Sequence, residues 1–103
     1  MIVYMIHKFR LDPKNIEEAK KYIKEFLEKK VAVIYTPPMW FVGANVSEEE
    51  ILQMCFKLID KCDVVAVCGE AESRGTIREL LYALEKGKTI KVFSEPNEVK
   101  YFL

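Results

Sequence analysis

One loop of the sequence combines residue types that together could bind an anion. A helix is predicted to begin near Thr76, and the first backbone N–H groups of a helix favour negative charge because they lack intrahelical partners. Arg10, much earlier in the chain, could hold a phosphate group through two parallel hydrogen bonds. We therefore expect an anion such as a phosphate group to bind between Arg10 and four loop residues, namely Ser73, Arg74, Gly75 and Thr76.

Glu79 follows this loop by one helical turn, and its pattern has two interpretations. In the first, Thr76 is the N-cap and Glu79 reaches back to its N–H in a Thr-x-x-Glu capping box, which is the more frequent origin of this pattern. In the second, Glu79 is a carboxylate nucleophile at the mouth of a ligand site. The predicted apolar stripe of the helix starts at Ile77, about 200° round the helix from Glu79, and continues through Leu80, Leu81 and Leu84. Glu79 should therefore face solvent, a loop or a neighbouring subunit.

Buried strands must position these groups. Val64 to Cys68 is a continuous apolar run, typical of a strand covered on both faces, and Gly69 ends it. Met1 to Ile6 forms a first apolar strand, and His7 and Phe9 follow at its carboxyl end. Open α/β sheets bind ligands outside the carboxyl ends of their strands. We therefore add His7, Phe9 and Gly69 to the expected substrate-binding residues.

The remaining segments alternate between helix and strand. The first helix has a start signal at Asp12-Pro13, a second possible cap at Asn15-x-x-Glu18 and helix-spaced apolar residues from Ile16 to Leu27. A strand is predicted over Val31–Tyr35, and a capping box at Ser47–Glu50 starts the second helix. A further strand is predicted over Thr89–Phe93, and Val99–Leu103 is either a short strand or a docked tail. This order predicts one α/β domain over residues 1–103. We expect a flavodoxin-like or Rossmann-like three-layer fold with a parallel sheet of four to five strands in the order 2-1-3-4(-5).

The segment from Met39 to Gly43 is too apolar for an ordinary surface connection. Trp40 and Phe41 could stack on a planar ligand, pack against a second subunit or fold onto the core of their own domain. Trp40 is accordingly a candidate substrate-binding residue. Small domains bury a limited fraction of their surface, so this apolar segment also favours a homodimer or a higher oligomer.

Composition excludes several classes of function. The 103 residues include 16 basic and 16 acidic side chains, and a formal net charge of zero argues against a general nucleic-acid binder. No apolar run approaches the length of a membrane span, and the N-terminus lacks the features of a signal peptide. Three cysteines without Cys-x-x-Cys spacing and a single histidine predict neither a metal site nor any cofactor, and they fit a reducing cytoplasm. The dominance of Lys and Glu weakly indicates a thermophilic source.

Several of these residues together resemble the nucleoside 2-deoxyribosyltransferase superfamily, and in particular its small phage and prokaryotic relatives. The resemblance covers roughly residues 1 to 93. Its strongest part runs from Cys62 to Lys88 and includes Cys62-Asp63, Gly69, Ser73-x-Gly75, Glu79, Ala83 and Gly87-Lys88. Further similar positions are Phe9-Arg10 after the first strand and Asn15, Ala19 and Tyr22 in the first helix.

The resemblance implies that the Glu79 carboxylate attacks the anomeric carbon of a deoxyribosyl group, so that the base leaves and water or another base takes the sugar. The ligand would be a small-molecule nucleoside or nucleotide. Ser73 replaces the Asp of most members, as in the branch that hydrolyses deoxynucleoside 5′-monophosphates, where Ser helps to hold phosphate. Cys55 replaces a second-helix Asp, and His7-Lys8 replaces a Gly-Pro.

Two functions therefore remain open. The first is a nucleoside or nucleotide N-glycosidase, or a 2-deoxyribosyltransferase-like enzyme, that acts through Glu79. The alternative is a non-catalytic nucleotide-binding protein, or an oligomeric interaction protein, of the same fold. The replaced acids keep the alternative open, because cleavage of a glycosidic bond needs an acid for the leaving group as well as a nucleophile.

Overall fold

The computed structural model describes residues 1–8, 12–36, 45–70 and 74–102. Helices and strands alternate along these residues as β1 (Ile2–Ile6), α1 (Pro13–Glu28), β2 (Ala32–Ile34), α2 (Glu48–Asp60), β3 (Val64–Cys68), α3 (Arg74–Glu85) and β4 (Thr89–Phe93), followed by a 3-10 helix (Pro96–Tyr101). The strands form one parallel sheet in the order β2-β1-β3-β4. The predicted fold class and strand order are confirmed.

The sheet separates two hydrophobic layers. Side chains alternate along a strand, so Val3 and Met5 of β1 face α1 and the 3-10 helix, whereas Tyr4 and Ile6 face α2 and α3. All five residues of β3 are buried, as its continuous apolar run predicts. Tyr4 is thereby fixed in the layer that also contains α3.

The predicted start signals of α1 and α2 are both formed in the structure. The Asp12 side chain accepts a hydrogen bond from the Lys14 N–H at 3.0 Å, so α1 begins at Pro13 rather than at the second possible cap, Asn15. In α2 the Ser47 hydroxyl accepts from the Glu50 N–H at 3.1 Å, and the Glu50 carboxylate accepts from the Ser47 N–H at 2.9 Å. This reciprocal pair is the predicted capping box.

Helix α3 differs from the prediction in its start and in its orientation. It begins at Arg74, so Thr76 lies inside the first turn and is not the N-cap, and the proposed Thr76–Glu79 capping box is wrong. The predicted stripe is wrong for three of its four residues, because Ile77, Leu81 and Leu84 are exposed, whereas Leu80 is partly buried and packs against the core. The fully buried positions of the helix are Thr76 and Ala83. This rotation turns Glu79 toward the protein interior.

The C-terminal segment is a 3-10 helix that packs on α1, and no strand lies among its described residues. Phe102 after this helix meets Phe26 of α1 and Phe93 of β4 in edge-on ring contacts, with centroid separations of 5.7 and 5.9 Å. The docked tail is therefore the correct alternative for this segment. In α1 the buried stripe is Ala19, Tyr22 and Phe26, whereas Leu27, predicted to be buried, is exposed.

Candidate functional site

The Glu79 carboxylate lies against the first strand. The Tyr4 hydroxyl donates a hydrogen bond to Glu79 Oε1 at 2.9 Å, across 75 residues of sequence. Tyr4 is fully buried in β1, and Glu79 is half-buried on the sheet-facing side of α3. The carboxylate is therefore held by a rigid element, β1, which is one of the two central strands of the sheet.

Two further side chains surround this pair. Thr36, at the carboxyl end of β2, places its hydroxyl oxygen 3.4 Å from the Tyr4 hydroxyl. The same Thr36 oxygen lies 3.7 Å from the Cys55 sulfur of α2. Glu79, Tyr4, Thr36 and Cys55 thus form a polar cluster, which we call the Glu79 cluster, inside the layer between the sheet and the helices α2 and α3.

The environment tunes the acidity of this cluster. Burial raises the pKa of Glu79, while the hydrogen bonds from Tyr4 and Cys55 act in the opposite direction. Burial, and then the negative charge of Glu79, raises the pKa of Tyr4 far above its ordinary value, so its hydroxyl remains a donor at any physiological pH. Burial also raises the pKa of Cys55, which therefore remains a thiol. A carboxyl group with a raised pKa and fixed hydrogen-bond donors is typical of a functional site.

The raised pKa of Glu79 predicts that this residue lowers stability at neutral pH. A group whose folded-state pKa exceeds its unfolded value stabilises the protein at low pH, and that contribution is lost as the pH rises through the folded value. Glu79→Gln cannot ionise and keeps an acceptor for Tyr4, so we expect it to have a higher Tm than the native chain at pH 8. Thermal unfolding at pH 8 and pH 4 checks this, and the gain must vanish at pH 4.

A second group of side chains lies at the carboxyl ends of β1 and β3. His7 Nδ1 is 2.8 Å from the Lys8 carbonyl oxygen, and His7 Nε2 is 3.5 Å from Glu18 Oε1, which is long for a hydrogen bond. Gly69 adopts a left-handed backbone with φ of 69°, and a Cβ atom there would stand 3.2 Å from Glu18 Oε1 and 3.6 Å from His7 Nε2. A side chain would be strained at this position, which therefore favours glycine. The predicted site residues His7 and Gly69 meet at one edge of the sheet.

The structure describes only some of the other predicted site residues. Arg74 is the first residue of α3, Gly75 is exposed in its first turn, and Thr76 is buried beside it. Phe9, Arg10, Trp40 and Ser73 lie outside the described residues. The anion site between Arg10 and the α3 N-terminus therefore stays a prediction.

Sequence reasoning did not assign a site role to Tyr4, Thr36 or Glu18. Tyr4 carried a usable signal, because a tyrosine inside an otherwise aliphatic buried strand needs a partner for its hydroxyl. Thr36 only follows the predicted strand over Val31–Tyr35, and Glu18 was interpreted only as part of a cap. Cys55 was interpreted as the replacement of an acid in the resembled family; it is buried in the core and borders the Glu79 cluster.

The described residues carry few features of a metal site or of a membrane span. Among the described residues, no group of three or more His, Cys, Asp or Glu side chains is placed to hold a metal ion. None of the described helices has both the length and the apolarity to cross a membrane. The chemistry of the described part of the chain is therefore concentrated in the Glu79 cluster and, on the α1 side of the sheet, in His7 and Gly69.

Comparison with solved structures supports the fold. The chain is similar to the Clostridium botulinum CMP N-glycosidase BcmB, with a TM-score of 0.66 and 18% identity, over 89% of this chain and 70% of that one. It is also similar to a de novo designed Rossmann fold protein, with a TM-score of 0.51 and 14% identity, over 98% and 90% of the two chains. Because both sequence identities are low, these similarities show the fold alone, which is a Rossmann-like α/β architecture.

Comparison of the sequence with known proteins and family models identifies the family of this chain. No curated protein matches the sequence significantly. A family model described as a domain of unknown function, DUF7768, matches residues 1–93, which include every described strand, the three α-helices and all four members of the Glu79 cluster. The chain therefore belongs to the DUF7768 family.

Proposed function

We propose that this protein cleaves the N-glycosidic bond of a nucleoside or nucleotide, with Glu79 as the nucleophile. The observation that carries the proposal is the Glu79 carboxylate, half-buried in α3 and held at 2.9 Å by the Tyr4 hydroxyl of the central strand. An ordinary surface glutamate has neither the burial nor the fixed donor. The arrangement is suited to a carboxylate that must attack from a defined direction.

The proposed reaction has two steps. A Glu79 carboxylate oxygen forms an ester bond to the anomeric carbon of the sugar, and the carbon–nitrogen bond breaks with its electron pair passing to the base. Water, or a nitrogen atom of a second base, then attacks the same carbon and breaks the ester bond, so that Glu79 leaves as a carboxylate and the proton lost by the attacking group neutralises the departed base. Tyr4 fixes the orientation of the carboxylate. Its hydrogen bond also stabilises the charged form of Glu79, before the attack and again after the sugar is released.

The substrate class rests on two supports. The similar fold of a CMP N-glycosidase favours a nucleoside monophosphate, and the sequence resemblance favours a phosphate held by Arg10, Ser73 and the backbone at the start of α3. The acidic side chains Glu70 and Glu72 oppose anion binding at this edge. Lys8 partly offsets them, because its ammonium lies 3.7 Å from the Glu70 carboxylate.

The test is incubation of the purified protein with matched pairs of nucleosides and their 5′-monophosphates, in ribose and deoxyribose forms, together with NAD. Free base is measured by chromatography. We expect base release from at least one monophosphate, faster than from its nucleoside. No release from any compound in the panel would contradict the proposed chemistry.

A second candidate is nucleotide binding without chemistry, and the position of Cys55 favours it. Cys55 stands where the resembled enzymes carry an acid, and burial keeps it a thiol, so among the described residues no second carboxyl group contacts Glu79 or Tyr4. A thiol with a raised pKa is a poor proton donor to a leaving base. Thermal stabilisation by a monophosphate without base release would identify this function.

Tyr4→Phe tests the role of the hydroxyl in the proposed reaction. The reacting form of Glu79 is the ionised one, so the rate should rise with pH through its raised pKa. Because the Tyr4 hydrogen bond lowers that pKa, its removal should move the rising limb of the pH–rate profile to higher pH and reduce kcat on that limb by about tenfold. Tyr35→Phe is the matched control, and a pH profile shifted equally in both variants would contradict the assignment.

A further inference from the structure

His7 carries a buried nitrogen that lacks a hydrogen-bond donor. Its side chain has no exposed surface, and Nδ1 lies 2.8 Å from the Lys8 carbonyl oxygen, which can only accept. The neutral imidazole has a single N–H, so that hydrogen is on Nδ1 and Nε2 presents a lone pair. Within the described part of the chain, Nε2 has no hydrogen-bond partner. A buried acceptor without a donor is unfavourable, and it indicates a place for a ligand that can donate.

The group that faces Nε2 is a second acceptor. Oε1 of Glu18 in α1 lies 3.5 Å from Nε2, and an ionised carboxylate has no hydrogen to donate. The Glu18 side chain is 40% exposed, so it connects the buried nitrogen with the protein surface. Gly69 borders both atoms and has no side chain beside them, while the Tyr22 ring packs at 5.7 Å from the His7 ring. We call His7 and Glu18 the acceptor pair.

We propose that the acceptor pair binds the exocyclic amino group of a nucleobase, such as that of adenine or cytosine. An amino nitrogen carries two hydrogens, so it can donate one to His7 Nε2 and the other to Glu18 Oε1. Two acceptors that are 3.5 Å apart lie within ordinary hydrogen-bond distance of one such nitrogen. The oxo group that replaces the amino group in hypoxanthine or uracil is itself an acceptor, so it cannot serve either member of the pair.

The position of the acceptor pair suits the base of a nucleotide whose sugar lies at Glu79. Tyr4, which donates to Glu79, precedes His7 by three residues, or about 10 Å along an extended chain. Their side chains belong to opposite layers, so the base lies across the carboxyl end of β1, the edge at which open α/β sheets bind ligands. The inference rests on the proposed function for the class of ligand, and it adds a preference for amino bases over oxo bases.

The first test is equilibrium binding to Glu79→Gln, which cannot form the ester bond. Calorimetric titration compares AMP with IMP, and CMP with UMP. We expect the amino member of at least one pair to bind at least about tenfold more tightly, because a site built for a donor rejects an analogue that lacks it. Adding Glu18→Gln supplies an amide N–H to His7 Nε2, so this ratio should fall to within about threefold. Glu17→Gln, at an exposed carboxylate of the same helix, is the matched control and should leave the ratio unchanged.

Binding and base release together separate this inference from the proposed function. Equal dissociation constants within both pairs, or a preference that survives Glu18→Gln, would overturn the amino-group site even where the native protein releases base. A preference for the amino member without any base release would support the site and contradict the proposed chemistry. No binding of any of the four monophosphates would overturn both.

Nitrogen-15 NMR tests the state of the pair directly, because His7 is the only histidine of the chain. The measurement is made at about pH 7.5, where an ordinary imidazole is neutral. We expect the free protein to carry its ring proton on Nδ1, and the Nε2 resonance to move on addition of the preferred monophosphate but not of its oxo counterpart. A ring protonated on both nitrogens would overturn the proposal, because Nε2–H would then donate to Glu18 and complete the pair without a ligand.

Discussion

Replacing Glu79 with glutamine should abolish base release while leaving the protein folded. Glutamine has nearly the same shape and can still accept the hydrogen bond from Tyr4, but it cannot form the ester bond to the sugar. We expect kcat to fall by at least about 10³-fold, the scale on which removal of a reacting group acts. Base release by chromatography over a long incubation is the measurement.

The matched control for this prediction is Glu70→Gln. Glu70 is an exposed carboxylate at the end of β3, on the same edge of the sheet, and it contacts only Lys8 among the described residues. Its replacement should change kcat by less than about threefold, the usual scale for a surface substitution outside a site. Equal losses in the two variants would indicate an effect of charge at this edge, and a folded Glu79→Gln protein with native activity would exclude Glu79 as the nucleophile.

The largest effect on stability is expected at Phe26. Its ring is fully buried and makes edge-on contacts with Phe93 and Phe102, each at a centroid distance of 5.7 Å. This one side chain joins α1 to the edge strand and to the C-terminal 3-10 helix. Phe26→Ala should therefore lower the free energy of unfolding by about 3–5 kcal/mol, through lost burial and the cavity that remains.

Chemical denaturation followed by circular dichroism measures this loss, and Leu27→Ala is its neighbour control. Leu27 follows Phe26 in the same helix but is 58% exposed, so its replacement should change stability by no more than about 0.5 kcal/mol. Similar losses in the two variants would mean that the α1 face has been assigned incorrectly. A small loss of stability in Phe26→Ala would mean that the neighbouring aromatic side chains shift to fill the space left by the ring.

The strands and the starts of α1 and α2 could be predicted because their signals are local. The continuous apolar run of β3, the Asp12-Pro13 start of α1 and the capping box at Ser47 each occupy a few consecutive residues, and each is confirmed. The alternation of helix and strand then determines a parallel sheet with few possible orders. Interactions between residues close in sequence were therefore sufficient to predict these elements.

The orientation of α3 could not be predicted because its apolar stripe does not face the core. The periodicity of Ile77, Leu81 and Leu84 is real, but it marks the outer surface, and small residues such as Ala83 face the sheet. The same error hid the position of Glu79, whose partner Tyr4 is 75 residues away. A hydrogen bond between distant elements depends on tertiary packing, which periodicity alone does not contain.

The central claim is that Glu79 forms a bond to the sugar, and covalent trapping tests it most directly. A nucleotide with fluorine at C2′ of an arabinosyl group slows both steps, because fluorine destabilises the positive charge that develops on the sugar ring. After incubation with the substrate class that releases base, intact-protein mass spectrometry should show an added mass equal to the fluorinated sugar phosphate, and peptide mapping should place it on Glu79. Base release without any adduct, or an adduct on another residue, would contradict the account.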